Sequence, residues 1–201
     1  MLTSKCTQDH TGSQAADVLI PLIRAAATIG FAIAPCSLGF VIIAVSEQLI
    51  RSIMVGDDPE MLVGELQNQF PNDAIEVADK DAGLVAQVVD LIDRPEQAAE
   101  LPLDIRGTEF QTRVWDALRS VPAGTTVSYA SLAEQIGAPN AARAVAQACA
   151  ANPLAVAIPC HRAVQANGEL AGYRWGVERK RALLEREAMA VEHMVRRTTA
   201  E

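Results

Sequence analysis

The chain has 201 residues, 50% of them hydrophobic, and a formal net charge of −8, enough for one large or two small domains with real cores. Four cysteines without paired spacing, and a polar start lacking a basic stretch followed by an apolar one, argue against secretion and predict a reduced, cytoplasmic protein. The charge is uneven: residues 1–100 carry −10 and residues 101–201 carry +2, so a half unsuited to phosphates precedes one that can meet nucleic acid if its arginines share a face.

Residues 1–22 match no pattern and are expected to form a flexible extension, ahead of an α/β domain over 23–94. The uncharged stretch 25–46 is as long as a bilayer-crossing helix requires. Gly30, Pro35, Cys36, Ser37 and Gly39 interrupt it, however, so two strands with a turn are expected rather than a membrane span. Apolar runs at 30–34, 40–45 and 50–55 predict an antiparallel meander. Asp57 and Asp58 before Pro59 start a helix whose apolar face takes Met61, Leu62, Leu66 and Phe70. A second helix is predicted over 82–92, ending at 93–95, with a linker at 95–103.

A second domain is expected over 104–190, with a tail at 191–201. Its first helix, 108–119, spaces Phe110, Val114, Trp115 and Leu118 as a core stripe, and Val121 to Gly124 close it. Ser128 caps a helix through Gln135, Ile136 and Gly137 break it, and residues 140–151 resume, a helix-turn-helix pattern. The second of these helices is nearly all alanine, with Arg143 its only charge. Two readings stay open: small residues for close packing against a neighbour, or a slim helix that enters a groove and delivers one arginine.

Behind the apolar run 154–158 stand Pro159, Cys160, His161 and Arg162. A thiol becomes a good nucleophile when deprotonated, and an adjacent imidazole and guanidinium are the neighbours that stabilise thiolate. A cysteine after an apolar run is more often a buried core thiol than a nucleophile. Cys6, Cys36 and Cys149 are scattered singly and supply no second pair at ligand spacing, so neither a metal nor a cofactor is expected.

The segments PLDIRGTEFQ, VSYASLA, ARAVAQACAAN, IPCHRAV and GYRWGVERK together resemble the catalytic domain of the O6-alkylguanine-DNA alkyltransferases, the methylated-DNA–protein-cysteine methyltransferases, and most of all their Ada-type branch. Residues 29–94 resemble that family's N-terminal domain more weakly, through Ser37 to Gly39 and Gly56 to Asp58. The resemblance implies a ribonuclease H-like α/β domain followed by a mostly helical, winged-helix-like domain. It implies direct-reversal DNA repair: Cys160 takes the alkyl group from O6 of guanine, and from O4 of thymine, in a flipped base of duplex DNA, once per molecule. The partner is double-stranded DNA carrying O6-alkylguanine, bound by a monomer. The alternative is a noncatalytic alkyltransferase-like DNA binder, whose kind lacks the cysteine that stands here at 160.

The resemblance also assigns roles. His161 removes the thiol proton through a water and Glu187 orients it, a triad logic. Asn152 ties the helix end to the active-site strand. Tyr129 hydrogen-bonds the flipped base and crowds the adjacent phosphate, Arg143 fills the vacated stack, and Ala142 lets its helix approach the minor groove. Ala163, Ala171 and Gly172 belong to the pocket wall, with Ala171 standing where many members have serine. No room before Ile29 is seen for the zinc-binding domain of full-length Ada-type proteins, so repair without methyl-triggered transcription is expected.

Overall fold

The computed structural model describes residues 28–78, 81–95, 100–170 and 172–198, and the predicted extension at 1–22 lies outside them. The three predicted runs form β1 (Thr28–Cys36), β2 (Gly39–Ser46) and β3 (Leu49–Gly56), paired antiparallel in sequence order. The β1–β2 turn requires glycine at 39, where φ is +107° and an added Cβ would come within 2.4 Å of the Gly56 carbonyl oxygen. A fourth strand, β4 (Ala74–Val77), was not anticipated; it lies parallel to β1 and completes the order β3-β2-β1-β4. Its four residues are mostly exposed, so no apolar run marks it.

Two helices cover this sheet. α1 (Pro59–Gln69) starts as predicted, with the Asp58 carboxylate accepting from the N–H groups of Glu60 and Met61. Leu62, Leu66 and Phe70 are buried, but Met61 is 65% exposed. It sits about 100° round the helix from Leu62 and so faces solvent, not the core. α2 (Ala82–Asp93) buries Val85, Val88 and Ile92. Val41 to Val45 are buried consecutively, which places β2 between two covered faces.

The second half is mainly helical. α3 (Glu109–Arg119) opens on a capping box between Thr108 and Gln111, and buries Val114, Trp115 and Leu118. Phe110, expected in the core, is only partly buried at the helix start. A two-residue strand, β5 (Val127–Ser128), leads into α4 (Tyr129–Gln135), capped by Ser128, and a turn then leads to α5 (Ala142–Ala150). β6 (Ala163–Val164) pairs parallel with β5, and α6 (Val177–Thr198) is the last described element, helical through 191–198 where a tail was expected. Helix, turn, helix is thus present at the predicted place.

The open edge of β3 joins the halves. Ile50 donates to the carbonyl of Pro102 and accepts from Asp104, while Ile53 donates to Pro153 and accepts from Ala155. One hydrophobic cluster runs from Ile29 through Trp115 to Leu183. Among the described residues no helix is long and apolar enough to cross a membrane.

Candidate active site

The site is assembled where α5 ends. Asn152 follows that helix fully buried, and its side chain organises the next eight residues. Its Oδ1 accepts from the Leu154 N–H at 2.9 Å, and its Nδ2 donates to the carbonyls of Leu154 (3.3 Å) and Ile158 (2.9 Å) and to Cys160 Sγ at 3.2 Å. The apolar run 154–158, to which Asn152 is tied, is not a strand. It bridges Ile53 at Leu154 alone and then turns tightly. Ala157 N–H bonds the Ala155 carbonyl around Val156, whose φ is +66°, and Cys160 N–H bonds Ile158 around Pro159. The first is a strained γ-turn on a β-branched residue, tolerated because the Asn152 side chain and the β3 edge fix both its ends.

Residues Cys160–Arg162 then form one 3-10 turn. This turn points its side chains in different directions. Cys160 is 3% exposed, and burial pushes its thiol up to about 11, against the opposing influence of the Asn152 amide and the charge of Lys180. Arg162, expected beside the thiol, instead directs its guanidinium at Glu187 and at the Val121 carbonyl. The cations that bear on Cys160 are Lys180 and Arg174.

His161 is fully buried. Its Nε2 lies 2.7 Å from Glu187 Oε1, while Nδ1 has no hydrogen-bond partner among the described residues. Burial holds the imidazole below its ordinary value despite the carboxylate beside it. Burial raises Glu187, but hydrogen bonds from His161 and Arg162 outweigh that and bring it down to about 2. Nε2 therefore carries the proton that faces an ionised acceptor, and Nδ1 keeps a lone pair.

Lys180 is the residue that sequence reasoning missed. It is fully buried on α6, and its Nζ donates to the Ala163 carbonyl at 2.5 Å and lies 5.9 Å from the Tyr129 ring centre. The spacing Lys180, Leu183, Glu187 marks one buried helical face, a signal that the charge run Arg179 to Arg181 hides. Tyr129 is partly buried, and burial drives its hydroxyl up to about 12. Tyr173 and Trp175 meet edge to face at 5.1 Å, with the Tyr173 hydroxyl and Trp175 Nε1 buried and unpartnered among the described residues.

The structure thus gathers Cys160, His161, Glu187, Asn152 and Ala163 into one cluster with Tyr129 at its side. It does not bring Arg143 and Ala142 to the thiol. They lie at the opposite end of α5, roughly 13 Å along the helix from Asn152, with Arg143 exposed. Gly172 is exposed with open space around it, and Ala171 lies outside the described residues. Among the described residues no group of three His, Cys, Asp or Glu side chains is placed to hold a metal ion.

Residues 109–189 match the family model described as 6-O-methylguanine DNA methyltransferase, DNA binding domain. The chain is 52% identical over 161 residues to the bifunctional transcriptional activator/DNA repair enzyme Ada of Escherichia coli (strain K12), covering 79% of this chain and 45% of that protein. It is 57% identical over 88 residues to the methylated-DNA–protein-cysteine methyltransferase of Mycobacterium tuberculosis (strain ATCC 25618 / H37Rv), covering 44% of this chain and 53% of the relative. The chain therefore spans about half the length of the curated relatives it matches. Among solved structures, the Mycobacterium tuberculosis O6-methylguanine methyltransferase superposes with a TM-score of 0.65 at 34% identity, covering 81% of this chain and 94% of that one. The same enzyme in complex with DNA superposes with a TM-score of 0.64.

Proposed function

The chain belongs to the O6-methylguanine-DNA methyltransferase family, and from that membership we propose that it repairs DNA by direct reversal, with Cys160 as a single-use alkyl acceptor. The observation that carries this reading is the convergence of His161 and Glu187 at 2.7 Å in a buried site one residue from the thiol, although 26 residues separate them in the chain.

The chemistry follows from the resting states. Cys160 is a neutral thiol, so a proton must leave before it can attack. His161 Nδ1 is the free base. A water between Sγ and Nδ1 carries the proton across, and Glu187 holds the imidazole in the tautomer that receives it. The thiolate then displaces O6 from the alkyl carbon: an S–C bond forms, the C–O bond breaks with its electrons going to guanine, and guanine regains a proton. The thioether is not readily reversed, so one molecule repairs one base. Methyl is the expected cargo at O6 of guanine and, by the same displacement, at O4 of thymine.

The target base must leave the duplex, at a cost of a few kcal/mol. Arg143, exposed at the start of the alanine-rich α5, fills the vacated stack, with Ala142 giving close approach to the minor groove. Tyr129 contacts the flipped base, and the backbone of Ala163 and Gly172 lines its pocket. In this reading a ribonuclease H-like domain over 23–94 supports a winged-helix-like DNA-binding domain over 104–190, and the protein acts as a monomer in the cytoplasm.

The test is incubation with a duplex oligonucleotide containing O6-methylguanine, followed by mass analysis of the peptide bearing Cys160. One added methyl on Cys160, absent in Cys160→Ser, is expected. A bound but unaltered oligonucleotide would favour the noncatalytic alternative, and methylation at Cys149 would contradict the assignment.

A further inference from the structure

Glu187 is held by more than the histidine. Besides His161, Arg162 Nη2 reaches Oε1 at 2.8 Å, Arg162 Nε lies 3.1 and 3.0 Å from Oε1 and Oε2, and the Gly124 N–H donates to Oε2 at 3.1 Å. The remaining arm of the guanidinium, Nη1, donates to the Val121 carbonyl. The turn at 121–124 therefore gives one acceptor to the arginine and one donor to the carboxylate, closing a cradle around the pair. Gly124 has φ +73°, and an added Cβ there would lie 3.0 Å from Val191 Cγ2. The Arg162 and Glu187 side chains are 15% and 4% exposed, so their charges act with little screening by water.

We infer that Arg162 is a positioning residue for the proton transfer: it clamps Glu187 as the fixed anion that orients His161. This inference rests on the reading of Cys160 as the alkyl acceptor. It reassigns the arginine of the Cys-His-Arg run, which does not serve the thiol.

The charges that face His161 decide the outcome of removing Arg162. From α6 come Glu187, which favours the protonated imidazole, and Lys180, which opposes it, and from its own turn comes Arg162, which opposes it. Glu187 in turn faces His161 and Arg162, with Tyr173 nearby on the pocket-wall loop. Without Arg162, one opposing charge is gone and the carboxylate acts on His161 alone, so the imidazole takes its proton at higher pH. A lysine keeps the charge but lacks the two-pronged fork that fits a carboxylate.

The experiment is the pH profile of single-turnover methyl transfer from an O6-methylguanine duplex, using the full chain as wild type, R162K, R162Q and R162M. The acid limb of R162Q and R162M is expected to move up by about one pH unit, while R162K keeps the wild-type limb with a lower plateau. An NMR titration of the His161 imidazole in the same variants reads the shift where transfer is too slow, and R162Q retains an N–H donor should R162M fail to fold. A lower plateau with an unmoved limb and an unmoved imidazole titration would overturn the inference. Wild type that transfers no methyl at any pH would instead overturn the reading on which it rests.

Discussion

At the level of single residues, the site is a set of buried polar groups whose energies depend on one another. Asn152 satisfies one backbone N–H and two carbonyls and also reaches the thiol, all out of contact with water. Asn152→Ala strands those groups and is expected to cost at least about 2 kcal/mol in urea unfolding and to slow transfer. An unchanged unfolding midpoint would contradict that role. Glu187 and His161 both make the fold sensitive to acid. Each is held below its ordinary value in the fold, so the unfolded chain binds more protons on acidification. Stability from His161 is present above its ordinary 6.5 and is lost below it; that from Glu187 is present above 4.5 and is lost as pH falls toward about 2. Urea midpoints measured down this range are expected to fall more steeply for wild type than for Glu187→Gln below pH 4.5, and parallel slopes would contradict the assignment. Cys160 and His161 were legible as a motif, and Glu187 and Asn152 through the family pattern. Lys180 was not, because a lysine inside a run of charged residues reads as solvated until its helical face is known. Nor was the partner of Arg162, since adjacency in sequence says little about direction within a 3-10 turn.

At the level of elements, short-range signals located most helices and strands. Turn residues bracketed β1 to β3, Asp58 and Pro59 started α1, the stripe Val114, Trp115 and Leu118 marked α3, and Ser128 capped α4. Two elements depend on tertiary pairing and escaped. β4 is a short exposed strand made possible by the open edge of β1, and the run 154–158 has a strand's composition but is bent into γ-turns by Asn152 and β3. Thr108→Ala removes one half of the α3 capping box and is expected to lower stability by about 1 kcal/mol without changing the rate constant for methyl transfer. A loss of rate in the fully folded variant would mean that the α3 start serves the site. Gly124→Ala forces a side chain into positive φ against Val191 and should cost more than 1 kcal/mol, roughly; it also disturbs the N–H that Glu187 accepts. Transfer by Gly124→Ala should therefore fall beyond what its loss of folded protein accounts for, as read from single-turnover rates corrected for folded fraction.

At the level of the whole molecule, the acidic and basic halves share one core, and the edge of β3 holds both the 100–104 segment and the loop that leads to Cys160. The charge asymmetry was readable from composition. The way the first half braces the second was not, because it runs through backbone hydrogen bonds of β3 that any side chains permit and through Arg179, which reaches from α6 to the Leu38 carbonyl and to Asp57. The role proposed for Arg143 belongs to this scale, since it runs through DNA and not through the thiol. Arg143→Ala is expected to slow methyl transfer from duplex DNA about tenfold or more while leaving transfer from a single strand within about threefold, the difference reflecting a few kcal/mol of unstacking. Equal losses on both substrates would remove Arg143 from base extrusion. The most direct test of the central claim is stoichiometry: the full chain is mixed with excess duplex bearing isotopically labelled O6-methylguanine, and label on protein is counted to completion. The account predicts a plateau of one methyl per molecule, all of it on Cys160, with guanine restored in the DNA. Continued turnover beyond one, label on another residue, or no label at all would contradict it.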